Sequence, residues 1–281
     1  MGGSNPVRIM GIINTSPESF YKRSVIEDSK KIENVARTME EEGADFVDVG
    51  GMSTAPYLNT LISERVEIER ITKAVRAIQK RSNLPISVDT CRAQVAKAAL
   101  ELGVDIINDI SGLKYDKDMK KILEKYSPSL VLCAYSRNLI RGSHLREMKN
   151  LLRESLEIAK SAKIQPNKIV LDPAIGFFRK VGKGRFFTKI NSDWITRDLL
   201  ILNNLSSIKL GYPILVSVSH KSFIGCLLNK KNPDDRLYGS LAAEVISVLN
   251  GADIIRTYNV KATRDAVRIA EKLSPNSKKG L

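Results

Sequence analysis

Residues 103–112, GVDIINDISG, contain the pattern that decides the fold. Gly103 ends a helical segment, an apolar run occupies 106–107, and the polar residues Asn108 and Asp109 follow at once. Related Gly-x-Asp units precede apolar runs at 43–45 and 251–253, and a looser counterpart stands at 210–212. The pattern predicts a helix that stops at glycine, a short buried strand, and polar side chains directly after that strand.

The same alternation runs along the whole chain. Short apolar runs lie at residues 9–13, 46–49, 86–88, 106–107, 130–133, 169–171, 214–218 and 254–255. Helix-period segments lie between them, among them 30–42, 63–81, 92–102, 145–162 and 237–250. Such β-branched runs suit strands that are buried on both faces, as in parallel sheets. About eight strand–helix pairs predict a closed (β/α)8 TIM barrel. A doubly wound open sheet is the alternative, although no glycine-rich nucleotide-binding motif is present.

No internal linker divides the chain. We therefore expect one domain over residues 1–281, with a core from about 7 to 273 and loose tails at 1–6 and about 274–281. Residues 177–192, rich in Arg and Lys with glycines, are predicted to form one long loop after the sixth strand.

Composition and charge argue against several classes of partner. The 43% hydrophobic and 27% charged residues are ordinary for a globular protein, and no apolar run reaches bilayer length, so we expect a cytoplasmic protein without a membrane partner. The net charge of +14 is scattered and lacks interleaved aromatics, which argues against nucleic acid but favours anionic small substrates. Three cysteines and two histidines at no metal-like spacing predict free thiols and no His-based metal site.

Polar residues follow most of the predicted strands. They are Asn14, Ser53, Thr54, Asp89, Asn108, Asp172, Lys221, Ser222 and Arg256. Each alone could cap a helix or satisfy a turn. Together, at the carboxyl ends of barrel strands, they predict a mouth that binds a flat heterocycle with alternating donors and acceptors, and an anion such as a diphosphate. No Cys, His or hydroxyl stands beside an obvious base, so no covalent nucleophile is predicted.

Seven stretches, in order, resemble motifs of the dihydropteroate synthase family. They are 10–20 (MGIINTSPESF), 43–51 (GADFVDVGG), 86–90 (ISVDT), 106–112 (IINDISG), 171–177 (LDPAIGF), 218–225 (VSHKSFIG) and 239–243 (GSLAA). The resemblance covers nearly the whole chain. It implies a transferase of folate biosynthesis that joins a pterin diphosphate to p-aminobenzoate with loss of pyrophosphate, and a homodimer.

The resemblance implies a pterin-holding group of side chains. Asp89, Asn108 and Asp172 would bind the pterin ring. Lys221 would pack against it and hydrogen-bond to it, and Ser222 would lie near the acidic end of the aryl amine. Asp89 and Lys221 are accordingly expected to be catalytic.

The resemblance also implies a leaving-group side. Asn14, Thr54 and Arg256 would bind the diphosphate, with Mg²⁺ coordinated near Asn14, and Arg256 would act in catalysis. Pyrophosphate would depart first, and the amine would then attack the pterin methylene from the opposite side. Loops 14–28 and 51–62 would be flexible and close over the second substrate.

Four departures from the family motifs stand out, and two of them, Ala55 and Tyr258, fall where the family's residues face the diphosphate or the second substrate. Glu18 stands where Asp is usual, Ala55 replaces an arginine, Tyr258 replaces a histidine, and residues 132–135 read LCAY where Met and His are common. The pterin-holding residues are unchanged.

These departures leave several interpretations open. Arg137, Lys180 or Arg185 could supply the lost positive charge to a synthase. Alternatively, the amine could be a ribosylated aminobenzene of methanopterin-type cofactors. A corrinoid-dependent methyltransfer module and a noncatalytic pterin binder are the further alternatives.

Overall fold

The computed structural model describes residues 6–19 and 21–273, and eight parallel strands form its central barrel. These strands are β1 Arg8–Asn14, β2 Phe46–Gly50, β3 Ile86–Asp89, β4 Ile106–Asp109, β5 Ser129–Cys133, β6 Ile169–Asp172, β9 Leu215–Val216 and β10 Ile254–Thr257. Two shorter strands, β7 Phe178–Arg179 and β8 Thr188–Lys189, pair outside the barrel wall. Apart from Pro6, the predicted tails lie outside the described residues, as does Phe20 of the first motif.

The barrel closes between β6 and β9. The hydrogen-bonded order is β6-β5-β4-β3-β2-β1-β10-β9. Its two ends meet where Leu171 and Ile214 form a parallel bridge, supported by the Leu171 N–H, which donates to Pro213 O at 2.9 Å. An open sheet would leave both end strands unpaired. The predicted (β/α)8 barrel is therefore confirmed.

Helices cover the outside of the barrel. They are α1 Ser29–Glu41, α2 Glu64–Gln79, α3 Ala93–Leu100, α4 Met119–Tyr126, α5 His144–Ser161, α6 Trp194–Leu202, α7 Leu205–Ile208, α8 Ser222–Leu227, α9 Leu237–Leu249 and α10 Val260–Leu273. Asp28 and Asp193 cap α1 and α6 by accepting hydrogen bonds from backbone N–H groups in the first turns. Gly103, after α3, has a φ of +83°, which glycine adopts without steric cost.

Two boundaries differ from the prediction. The seventh apolar run, 214–218, contributes only Leu215 and Val216 to a ladder strand, because Ser217 and the residues after it turn toward the cavity described below. The segment 177–192 is not a plain loop. It contains the β7–β8 pair, held down by the buried side chains of Phe178 and Phe186.

The barrel interior is plugged at its amino-terminal end. Met10, Ile106, Val131, Leu215 and Ile254 form one buried cluster, one residue from each of five strands. A separate, larger apolar layer packs between strands and helices. Because side chains alternate along a strand, the next inward position lies two residues further on. Those positions build the floor of the cavity.

Candidate active site

A cavity of about 920 Å³, measured with its open mouth, lies at the carboxyl ends of the barrel strands. It is lined by all eight side chains that the sequence assigned to binding or catalysis: Asn14, Thr54, Asp89, Asn108, Asp172, Lys221, Ser222 and Arg256. The structure thus brings the predicted set together, while their roles stay predictions.

The strand pleat explains why these residues meet. Two positions beyond the apolar plug residues Ile106 and Ile254 come Asn108 and Arg256. Likewise Asp172 lies two positions beyond Val170, which packs against the same plug. Each of these three strands, β4, β6 and β10, therefore presents an apolar residue and then a polar residue on the same inward face.

Arg256 and two carboxylates form a buried ion network. Its Nε donates to Asp48 Oδ2 at 2.7 Å, and its Nη2 lies 2.5 Å from that oxygen and 3.2 Å from Asp89 Oδ2. Burial would lower the pKa of Arg256, but the attraction of both carboxylates raises it overall. Asp48 is fully buried and also accepts a hydrogen bond from Ser87 Oγ at 2.5 Å. The sequence analysis missed Asp48 because it is embedded in the apolar run 46–49; alternation with Phe46 would have shown that it faces inward.

Asp89 has an oxygen without a protein partner. Its Oδ1 is buried and accepts no hydrogen bond within residues 6–19 and 21–273. Burial raises the pKa of this carboxyl, the Arg256 charge opposes that rise, and the Asp48 charge adds to it. A buried, unpaired oxygen costs free energy unless a ligand N–H meets it. Asp89 is therefore arranged to accept hydrogen bonds from a ligand.

Lys221 and Phe177 form one wall of a narrow slot. The ammonium Nζ lies 4.2 Å from the centre of the Phe177 ring. Burial lowers the pKa of Lys221 to about 8, although attraction to Asp172 acts in the opposite direction. Gly176 has a φ of +86°, and a Cβ there would stand 3.2 Å from Lys221 Cδ, so glycine leaves the lysine its space. Asp172 Oδ1 accepts the Ala174 N–H at 2.6 Å.

Tyr258 occupies the place of the usual histidine and orients Asn14. The Asn14 Nδ2 group donates to Tyr258 OH at 3.0 Å and to Ser24 Oγ at 2.8 Å. Tyr21 packs edge-on against Tyr258, with ring centres 5.0 Å apart. Burial raises the pKa of Tyr258, so its hydroxyl stays protonated and neutral. The carboxamide nitrogen is thus held by hydroxyl groups, and the carboxamide oxygen is available to another ligand.

The cavity lining does not contain the cationic side chains predicted to replace the lost arginine, but it contains another arginine. Ala55 lines the cavity and brings no charge. Arg137 and Arg185 line a surface groove outside the cavity, and Arg185 also borders a small pocket next to Ala55. Lys180 is exposed and is not part of the cavity lining. The additional cation in the lining is Arg179. Arg179 was not predicted from the sequence, although it lies only two residues after the stretch 171–177.

A single helix residue ties the two substrate loops together. Arg70 of α2 donates to both carboxylate oxygens of Glu18, at 3.0 and 3.2 Å, and to Gly51 O at 3.1 Å. Burial would raise the pKa of Glu18, but hydrogen bonds from Arg70 and Ser16 outweigh it and lower the pKa to about 2. Glutamate is one methylene longer than the usual aspartate at this position. The flexibility of loops 14–28 and 51–62 stays a prediction.

The cavity contains one thiol, Cys133. Burial raises its pKa well above the ordinary range, so it remains a neutral thiol rather than a nucleophilic thiolate. Cys91 is also buried, and Cys226 is exposed; all three are free. Within the described ranges, no three His, Cys, Asp or Glu side chains are grouped as metal ligands. The helices of that same part of the chain include none with the length and apolar character of a membrane span.

Comparisons with known proteins agree on one family. Residues 10–258 match the family described as "Pterin binding enzyme". The dihydropteroate synthase of Clostridium beijerinckii is 36% identical over 265 residues, covering 94% of this chain and 93% of that protein. A dihydropteroate synthase structure from Coxiella burnetii, in complex with pteroic acid, is 35% identical with a TM-score of 0.82, covering 97% and 94%. The Xanthomonas albilineans dihydropteroate synthase with 4-aminobenzoic acid is 27% identical with a TM-score of 0.83, again covering 97% and 94%.

The ion network predicts a stability effect. Replacing Arg256 with Gln leaves Asp48 and Asp89 as facing buried carboxylates, so we expect the free energy of unfolding to fall by about 3 kcal/mol. The double variant Asp48→Asn/Arg256→Gln should recover most of that loss, because it removes the uncompensated charge. Urea denaturation measures both.

The exposed i,i+4 pair of Arg65 and Glu69 offers a matched control. Arg65→Gln should change the free energy of unfolding by less than about 0.5 kcal/mol. An Arg256→Gln loss no larger than that of Arg65→Gln would contradict the importance of the network.

Proposed function

The chain belongs to the pterin-binding enzyme family, and from that premise we propose that it is a dihydropteroate synthase. It joins 6-hydroxymethyl-7,8-dihydropterin diphosphate to p-aminobenzoate, giving dihydropteroate and pyrophosphate in folate biosynthesis. The observation that carries this proposal is the lining of one cavity by Asp89, Asn108, Asp172 and Lys221, in a chain similar over 94% of its length to a dihydropteroate synthase.

The slot suits a pterin ring. The unpaired Oδ1 of Asp89 would accept a ring N–H. Asn108 turns its amide nitrogen toward Asp48 at 3.4 Å, which leaves its carbonyl oxygen to accept another. Lys221 would donate to an acceptor on the ring while Phe177 packs beside it. Alternating donors and acceptors of a planar heterocycle are matched in this way.

The charged side chains of the cavity also suit the proposed condensation. The C–O bond between the pterin methylene and the diphosphate breaks, positive charge spreads into the ring, and the amine nitrogen forms the new C–N bond and loses one proton. The carboxylates of Asp89 and Asp172 stabilise the developing cation. Arg256 stabilises the departing diphosphate. Preorganised charges of this kind contribute on the order of 2–4 kcal/mol each, and holding two substrates in line adds to this.

Mg²⁺ fits this site in a restricted way. Asn14 offers one carboxamide oxygen, held in place by the hydroxyls that its nitrogen contacts. Mg²⁺ commonly takes one or two protein oxygens and completes its shell with substrate phosphates and water. When bound, the ion would neutralise charge on the leaving diphosphate. Loss of pterin diphosphate affinity with EDTA in the wild type, but not in Asn14→Ala, would support this assignment; equal EDTA effects would refute it.

The aryl amine would enter between the two loops. Ser222 and Tyr57 line the cavity, and Ser222 would lie near the acidic end of the amine. The net charge of +14 favours the approach of two anionic substrates.

We further propose a cytoplasmic homodimer. Large apolar side chains on α9 and α10 are exposed, including Tyr238 at 84%, Ile269 at 63% and Leu273 at 72%. Exposed apolar side chains on two helices that pack against each other support an association surface on these helices. Sedimentation at micromolar concentration that gives only monomers would contradict the dimer, and recovery in a membrane or secreted fraction would contradict the location.

Pyrophosphate release tests the reaction itself. With pterin diphosphate and p-aminobenzoate, the wild type should release pyrophosphate and form dihydropteroate. Release only with a ribosylated aminobenzene would favour the methanopterin-type reaction. Methyl transfer from a methylated pterin to a corrinoid protein would favour a methyltransferase, and pterin binding without any turnover would favour a noncatalytic binder.

Variants of the slot test the pterin assignment. Asp172→Ala and Lys221→Ala should each weaken pterin binding at least about 100-fold by calorimetry while the fold is retained, because each removes a charged hydrogen-bonding partner. Lys120→Ala, on the exposed face of α4, is the control and should leave affinity unchanged. Wild-type affinity in both slot variants would end the assignment.

The lowered pKa of Lys221 predicts the alkaline side of the pH profile. Burial brings this pKa to about 8, so the ammonium is protonated below pH 8 and loses its proton above it. Since the charged form donates to the pterin, kcat/KM should fall as pH rises through about 8. We also expect kcat/KM to fall on the acid side of the profile. Because burial raises the pKa of Asp89, this fall should occur at a higher pH than the titration of an ordinary carboxyl group. Lys221→Arg should move the alkaline limb upward; a profile that is flat to pH 9.5 in the wild type would contradict this.

A further inference from the structure

Arg179 is a buried cation that forms no ion pair with the described residues. Arg179 is 7% exposed, and its Nη1 has no hydrogen-bond partner in the part of the chain that the structure describes. Its guanidinium carbon lies 3.3 Å from the centre of the Trp194 ring, which fixes the plane of the group. Burial lowers the pKa of Arg179, showing that the site disfavours an unpaired charge.

The nearest candidate carboxylate is already engaged. Asp198 pairs with Arg197 at 2.7 Å, and its second oxygen accepts the Gly176 N–H at 2.8 Å. Within residues 6–19 and 21–273, no carboxylate forms an ion pair with Arg179. Burying a charge without an ion-pair partner is costly, so an anionic ligand in the cavity would stabilise Arg179.

The position of Arg179 indicates which end of the cavity that ligand occupies. Arg179 lines the cavity after β6, and its Nη2 donates to Ser222 Oγ at 2.6 Å. The guanidinium of Arg256 instead reaches Asp48 and Asp89 on β2 and β3, strands on another arc of the barrel. The two arginines therefore provide two separate anion positions.

We propose that Arg179 binds the carboxylate of the aryl amine, with Nη1 and the Ser222 hydroxyl as donors. This inference rests on the proposed synthase function and names the group that selects its second substrate. A planar guanidinium matches a carboxylate in geometry as well as in charge. It gives this chain a carboxylate-binding cation despite Ala55, so the amine carries an acid group rather than a neutral substituent.

Two amines of nearly equal shape test the proposal. 4-Aminobenzoate carries the carboxylate, and 4-aminobenzamide replaces it with a neutral amide. Arg179→Met should raise KM for 4-aminobenzoate by about 10- to 100-fold, because a charge-assisted hydrogen bond is lost. KM for 4-aminobenzamide, KM for pterin diphosphate and kcat at saturation should stay within about twofold. Arg179→Lys should restore part of the preference for the acid.

Arg153→Met is the matched control, because Arg153 is exposed on α5 and lies outside the cavity lining. If Arg179→Met raised KM equally for 4-aminobenzoate and 4-aminobenzamide, Arg179 would contribute only packing. A rise confined to KM for pterin diphosphate would assign it to the leaving group. Either result overturns the inference while the synthase function stands. A wild type inactive with every amine would overturn the function and this inference together.

Discussion

The ion pair between Asp48 and Arg256 is the constraint on which the site depends. Both groups lie inside the barrel, where an isolated charge would be strongly destabilising, so neither can move without the other. Asp48 contacts Ser87 and Asn108, and Arg256 contacts Asp89. One interaction therefore sets the positions of side chains from β2, β3, β4 and β10. It also links Asp89, for which we propose a role in binding the pterin ring, to Arg256, for which we propose a role in binding the diphosphate.

The barrel arranges charge in separate regions of a single cavity. The carboxylates of Asp89 and Asp172 line the cavity together with Lys221, where the proposed reaction would develop positive charge. Arg256 and Arg179 stand on different arcs, where anionic groups of two substrates would bind. Because the two arginines lie apart, each would stabilise the anionic group of one substrate. The protein supplies position and charge, and no covalent intermediate is needed.

The departures from the family motifs are accompanied by local adjustments. Tyr258 uses its hydroxyl to accept from Asn14, so the carboxamide keeps a fixed orientation without a histidine. Glu18 is long enough to reach both terminal nitrogens of Arg70 and ties the first loop to α2. Ala55 contributes no charge, while Arg179, on the neighbouring β7, brings one into the same cavity. The altered half of the site is thus rebuilt from other elements.

The sequence by itself determined the barrel and the set of polar side chains at its mouth. Apolar runs punctuated by Gly103 and its counterparts define strands, and the residue after each strand must lie at the mouth, so Asp89, Asn108 and Asp172 could be named from local pattern alone. Only the tertiary structure identified Asp48 and Arg179. Asp48 is embedded in an apolar run, and its partner Arg256 stands 208 residues further along the chain. The proposed role of Arg179 depends on its contacts with Ser222 and Trp194, and on its lack of an ion pair with a carboxylate among the described residues. Such pairings depend on distances across the barrel, which no local pattern encodes.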